Sequence, residues 1–325
     1  MAPQRYILPI KKEHHFEKAI SHILPCADGT MLTQEEGANS FSRYDVHFHK
    51  IWDRPVDLLP NAHQRYDLTV SPDEEMIGLQ GKNGVRIYDR WGGLLYAMNF
   101  EPTHNVPTAE VYFSRRDLMG ERFVWFLEPA PDRGGFLHVL NAVDFSAADR
   151  VALDDVGYYW TFYATPDNDT VFINLSAGQD EGRLVKAKLI HGKIALEELD
   201  QCDDWVMGSF SPKSTEFVVA PHYDEPIRIY SFPRIQLLAG ISQASLVQDD
   251  DQVNYWVEYV SETTLLVWTR LGRLLLVDRE KGETIGELIA ADNDFSLVTL
   301  TPKGDLWIRG DSKTIRVYEL PHIAH

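Results

Sequence analysis

The sequence predicts an all-β protein, seven four-stranded antiparallel sheets in succession forming one seven-bladed β-propeller over residues 1–325. Three observations predict it. A small-residue turn recurs seven times, at spacings of 40 to 51 positions and near 46 on average. Short runs rich in β-branched and aromatic residues flank each turn. Only Glu13 to Ile23 could supply an amphipathic helix of the kind that joins parallel strands, and it occurs once. A fixed period of this length marks repeat architectures, and four strands per period select the propeller.

The turns are Cys26-Ala27-Asp28-Gly29, Ser71-Pro72-Asp73, Ser114-Arg115-Arg116-Asp117, Thr165-Pro166-Asp167, Ser211-Pro212-Lys213, Ser261-Glu262-Thr263 and Thr301-Pro302-Lys303-Gly304. Runs such as Tyr66 to Val70, Tyr159 to Tyr163 and Phe295 to Leu300 precede them. Runs such as Met76 to Leu79, Thr170 to Ile173 and Glu216 to Val219 follow. Pro, Gly, Asp and Ser bound these runs, which read as strands joined by hairpins. A third run follows, as in Val85 to Asp89, Ile227 to Tyr230 and Arg273 to Asp278. A fourth is visible in Leu94 to Phe100 and Thr284 to Ile289.

Four third runs end in an apolar or aromatic residue plus an acid: Trp52-Asp53, Tyr88-Asp89, Val277-Asp278 and Tyr318-Glu319. On these residues the chain resembles the WD40 repeat family in degenerate form. No unit carries that family's Gly-His pair, and Trp52-Asp53 is the one literal match. The resemblance implies the architecture and no particular activity. The last unit lacks a fourth run, so the N-terminal segment, residues 4–10, is expected to close the last blade. Closure removes an open sheet edge.

Composition excludes several classes. Net charge is −18 with 49 acidic and 31 basic residues, which repels phosphate backbones and anionic lipid. No apolar run approaches the ~20 residues of a membrane span. The first residues lack the apolar core of a signal peptide, so a cytoplasmic protein is expected. Cys26 is placed in a first-to-second-strand turn and Cys202 in the loop leading into the fifth blade, too far apart for a disulfide. Both are expected to be free thiols.

The functional signal lies in four consecutive lead-in loops, which precede first strands. They are Leu153 to Trp160, Asp200 to Trp205, Gln248 to Trp256 and Ala290 to Phe295. These 29 residues hold 10 Asp and no Lys or Arg, where the chain-wide frequency gives about four acids. Each loop is an acidic cluster followed by an aromatic residue. The partner-binding candidates are Asp154, Asp155, Tyr159, Trp160, Asp203, Asp204, Trp205, Asp249, Asp250, Asp251, Trp256, Asp292 and Asp294. Carboxylates attract Lys and Arg, and aromatic faces add cation–π contacts of about 0.5–2 kcal/mol. The expected function is a non-catalytic interaction scaffold binding a basic peptide or protein on an acidic, aromatic-rimmed mouth over blades four to seven.

Other readings of the same residues stand beside it. Asp caps turns, and aromatics at strand starts pack between blades. The acids can also ligate calcium, which takes six to eight oxygens, and a metal-dependent hydrolase or lactonase would use them at the same face. Asp45, His47 and His49, alternating along a strand, are the transition-metal candidate. His14-His15 reads as solvated surface beside a charged helical patch, and Glu128 to Gly135 as a long exposed loop. No nucleophile, zinc-hydrolase or phosphate-loop motif is present.

Overall fold

Buried hydroxyls explain why the turns repeat. The computed structural model describes residues 4–60, 67–101, 111–115, 121–130, 134–153, 159–167, 169–176, 182–202, 206–220, 225–247, 251–291, 297–301, 304–309 and 313–320. In the second repeat the Ser71 carbonyl accepts the Glu74 N–H at 2.7 Å, and the Ser71 hydroxyl accepts the Met76 N–H at 3.0 Å. The first-to-fourth backbone bond recurs from Gly29 to Cys26, Ser214 to Ser211 and Gly304 to Thr301, at 2.7 to 3.0 Å. The fourth residue is left-handed in all four, with φ of +88° at Gly29, +60° at Glu74 and Ser214, and +79° at Gly304. A β-turn followed by one left-handed residue suits a tight hairpin, which favours glycine there. Three of the four turns begin with a buried Ser or Thr, whose hydroxyl serves the Met76, Thr215 or Asp305 N–H that water cannot reach.

The chain begins with β1 (Gln4–Ile7) and β2 (Ile10–His15). Residues 20–204 form one compact unit of four antiparallel sheets. The first holds β3 (Ile20–Pro25), β4 (Met31–Glu35), β5 (Ser40–Tyr44) and β6 (Lys50–Pro55). The second holds β7 (Asp67–Val70), β8 (Met76–Gly81), β9 (Gly84–Asp89) and β10 (Leu94–Asn99). The third holds β11 (Tyr112–Phe113), β12 (Phe123–Pro129), β13 (Gly135–Asn141) and β14 (Ala147–Leu153). The fourth holds β15 (Tyr159–Ala164), β16 (Thr170–Ser176), β17 (Gly182–Ile190) and β18 (Lys193–Cys202).

A second unit joins residues 1–19 to residues 205–325 and holds three sheets. The fifth sheet has β19 (Val206–Phe210), β20 (Glu216–Ala220), β21 (Ile227–Ser231) and β22 (Leu237–Ile241). The sixth has β23 (Val253–Tyr259), β24 (Thr264–Thr269), β25 (Leu274–Asp278) and β26 (Glu283–Ile289). The seventh has β27 (Leu297–Leu300), β28 (Asp305–Arg309), β29 (Thr314–Glu319) and β2. Seven four-stranded antiparallel blades, the last completed by an N-terminal strand, make a seven-bladed β-propeller.

Apolar residues concentrate in second and third strands. All six positions of β8 are buried, whereas the fourth strands β6 and β10 alternate between exposed and half-buried. Among the described residues, five buried clusters each span two sheets consecutive in the chain. Trp125, Leu127 and Val139 of the third sheet pack on Phe162, Val171 and Ile173 of the fourth. Val218 and Ile229 of the fifth pack on Val257, Leu265 and Val267 of the sixth. Each fully buried aliphatic side chain contributes about 1.5–3 kcal/mol. Backbones come close where glycine permits it: a Cβ at Gly208 on β19 would lie 1.9 Å from the Val257 carbonyl oxygen on β23.

Several sequence expectations need correction. The strand completing the last blade is Ile10–His15, running antiparallel to β29 from Ile10↔Tyr318 to His15↔Thr314, and not residues 4–10. Gln4–Ile7 instead pairs parallel with β26 as a fifth strand of the sixth sheet. Leu8, 4 % exposed, anchors between the two strands, and Pro9 interrupts them because it has no N–H to donate. Glu13 to Ile23 is therefore not a helix: it holds the end of β2, a bend over 16–19 and the start of β3. Its polar residues serve as cross-strand partners: Glu13 pairs with Arg316, and His15 Nδ1 lies 2.9 Å from the Thr314 hydroxyl.

Trp52-Asp53 sits on the fourth strand, β6, and not at the end of a third; the third strand, β5, is disguised in the sequence by polar Ser40, Ser42 and Arg43. Glu128 and Pro129 belong to β12, and Gly135 opens β13, so the expected long loop is a hairpin. Cys202 ends strand β18 rather than lying in a loop. Among the described residues no helix is long and apolar enough to cross a membrane.

Candidate functional site

Each acidic run joins the fourth strand of one blade to the first strand of the next: β14 to β15, β18 to β19, β22 to β23 and β26 to β27. Asp154, Asp155, Asp203, Asp204, Trp205, Asp249, Asp250, Asp292 and Asp294 lie outside the described residues. Tyr159 and Trp160 open β15, with backbones opposite Ser176 and Leu175, and their side chains are likewise outside the description.

Asp251 and Trp256 are described, and both face inward. The Asp251 side chain is 3 % exposed. Its Oδ1 accepts the Leu271 N–H at 3.1 Å and the Gln252 N–H at 2.9 Å, and the Arg273 guanidinium lies 3.9 Å from Oδ2. Asp251 thus fastens the start of β23 to the turn between β24 and β25, where a partner cannot reach it. Trp256 is half-buried against the cluster of Leu266, Leu274 and Leu276. Of this loop, Asp249 and Asp250 remain as candidates for an external partner.

Two acidic residues escaped the sequence reading because strands, not loops, hold them. Glu258 follows Trp256 on the same face of β23. Desolvation pushes its carboxyl up to about 7, opposed by a hydrogen bond from Ser209. The Ser209 hydroxyl also accepts the Tyr259 N–H at 2.6 Å. Glu216 on β20 accepts two guanidinium nitrogens of Arg279, at 2.6 and 3.0 Å, and the Tyr259 hydroxyl at 3.1 Å. Burial and the Glu216 charge raise the Tyr259 phenol, so it stays a donor. The one legible signal was the strand alternation that places Glu258 opposite buried Val257 and Tyr259.

Two clusters carry ligand chemistry outside the acidic loops. Asp45, His47 and His49 form a turn between β5 and β6, not a strand face. Asp45 Oδ1 accepts the N–H groups of His47 and His49, each at 2.8 Å, and Asp45 Oδ2 lies 3.2 Å from His49 Nδ1. The Cys26 thiol and the carboxylates of Asp28 and Glu74 also converge, all within 4.8 Å. Their atoms are engaged: Glu74 caps the Ala27 N–H, and Asp28 pairs with Arg43 at 3.0 Å and Arg90 at 3.6 Å. Burial pushes the free Cys26 thiol up to about 11, and two guanidiniums disfavour a cation. This trio is turn architecture.

No family model matches the sequence, and no curated protein is similar to it in sequence. Solved structures do match. The WD40 domain of Neurospora crassa Pan2 superposes with a TM-score of 0.62 over 94 % of this chain and 90 % of that one, at 9 % identity. The chain therefore has the architecture of a WD40-like seven-bladed β-propeller. Since 1348 solved chains share the likeness, it fixes the fold and leaves the activity open.

Proposed function

We propose that the protein is a non-catalytic, cytoplasmic interaction scaffold that binds a basic peptide or the basic patch of a protein through its acidic lead-in loops. Propellers of the WD40 type generally serve as protein-interaction scaffolds, and the fold supports that coarser reading. The finer one rests on a single observation: acid followed by aromatic at the same point of four consecutive repeats, without one Lys or Arg. Asp251 and Trp256 hold the fold, leaving Asp154, Asp155, Tyr159, Trp160, Asp203, Asp204, Trp205, Asp249, Asp250, Asp292 and Asp294 for the partner. Nucleic acid and anionic membrane are disfavoured by the charge of −18.

A pull-down from native cytosol tests this, with Asp249, Asp250, Asp292 and Asp294 changed together to Asn. A basic protein captured by the wild type and lost in the variant is the expected result. Equal capture by both would show that these acids only shape turns. Calcium titration separates the hydrolase alternative: stoichiometric binding with chelator-sensitive turnover would replace the scaffold reading.

A further inference from the structure

In the unit of residues 20–204, the ends of four first strands, β3, β7, β11 and β15, frame a cavity of about 440 Å³. That volume falls in the usual range for small-ligand pockets, about 300–1,000 Å³. Leu24, Val70 and Tyr112 line it half-buried, and Ala164 lines it exposed. Apolar atoms are thus left facing a concavity. The wall hydroxyls are used internally: Thr69 donates to the Val111 carbonyl at 2.6 Å, and Thr165 to the Thr170 carbonyl at 2.7 Å. Tyr112 stacks on Phe162 with ring centres 6.2 Å apart, and its hydroxyl is held by the Thr165 backbone.

Arg115 stands at the rim beside Tyr112, exposed and without an ion-pair partner among the described residues. Among the described residues no carboxylate lines the cavity. A guanidinium takes a carboxylate through two parallel hydrogen bonds. We propose that this cavity binds a small molecule with an apolar body and one terminal carboxylate, the body against Leu24, Val70, Tyr112 and Ala164 and the carboxylate on Arg115. The site lies at the turn ends of these four first strands; of the acidic runs only Asp154-Asp155 leads into one of them, β15, and it does so at the opposite end of that strand. It shares no residue with the partner surface proposed above.

Calorimetric titration of the full chain with decanoate, decanol and decylamine tests the assignment. Decanoate is expected to bind saturably, at least about tenfold tighter than decanol, as loss of a charged hydrogen bond implies. Arg115→Gln should bring decanoate down to the affinity of decanol and leave decanol unchanged. Ala164→Trp should fill the cavity and abolish both. Both positions are exposed, so both variants should keep the wild-type Tm. Absence of saturable decanoate binding overturns the proposal. So does decanol or decylamine binding as tightly as decanoate, or an unchanged decanoate affinity in either variant.

Discussion

Single atoms decide how this chain turns. Ser71 is fully buried, and its hydroxyl both caps the Met76 N–H and donates to Asp73 at 2.8 Å. Ser71→Ala leaves a buried N–H unpaired and is expected to cost about 1–3 kcal/mol in denaturant unfolding. A variant as stable as the wild type would mean that the turn is held by its backbone alone. Glu258 sets a pH dependence of opposite sign to that of most carboxylates. The unfolded chain releases this proton near the ordinary 4.5, while the folded chain keeps it until about 7. Stability is therefore lost as pH rises from about 4.5 through 7, and the loss persists above. Glu258→Gln should raise Tm at pH 8 and leave it close to wild type near pH 4. Parallel Tm profiles for the two proteins would show that Glu258 is solvated.

At the scale of elements, glycine spacing and the N-terminal strands carry the testable content. Gly208→Ala forces β19 away from the Val257 carbonyl, and a stability loss of several kcal/mol is expected because backbone has to move. Truncation separates the two N-terminal strands. Removing residues 1–9 deletes β1 and buried Leu8, whereas removing residues 1–15 also exposes the whole edge of β29. Thermal melts should rank wild type above the first truncation and the first above the second. Equal melting temperatures for the two truncations would contradict the pairing of Ile10–His15 with β29.

The elements also show which patterns the sequence carries openly. The seven marker turns all fall between first and second strands, and in four of them the left-handed fourth residue is a local demand that the turn sequence carries. Strand β5 was hidden because Ser42 and Arg43 are buried through side-chain bonding: Ser42 to Asp53 at 2.6 Å, and Arg43 to Asp28 at 3.0 Å. Hydropathy alone cannot mark a polar residue whose partner comes from another strand. The same limit applied at Glu13 and His15, whose partners lie some 300 residues away. The acidic loops were legible as composition, yet inward-facing Asp251 looks in sequence like its neighbours Asp249 and Asp250.

At the scale of the whole molecule, the fold separates roles. Sheet pairs supply stability through clusters that join sequence neighbours, as in other repeat proteins, so that loops are free to vary. Net charge of −18 adds long-range attraction for a cationic partner, and that attraction weakens with salt. The central claim is that loop carboxylates bind positive charge. Its most direct test is the affinity of an arginine-rich peptide for the wild type and for the protein with Asp249, Asp250, Asp292 and Asp294 changed to Asn, at about 0.01 M and about 0.15 M salt. The account predicts saturable wild-type binding that weakens with salt, and at least about tenfold weaker binding by the variant at low salt. Equal affinities for the two proteins at both salt concentrations would contradict it.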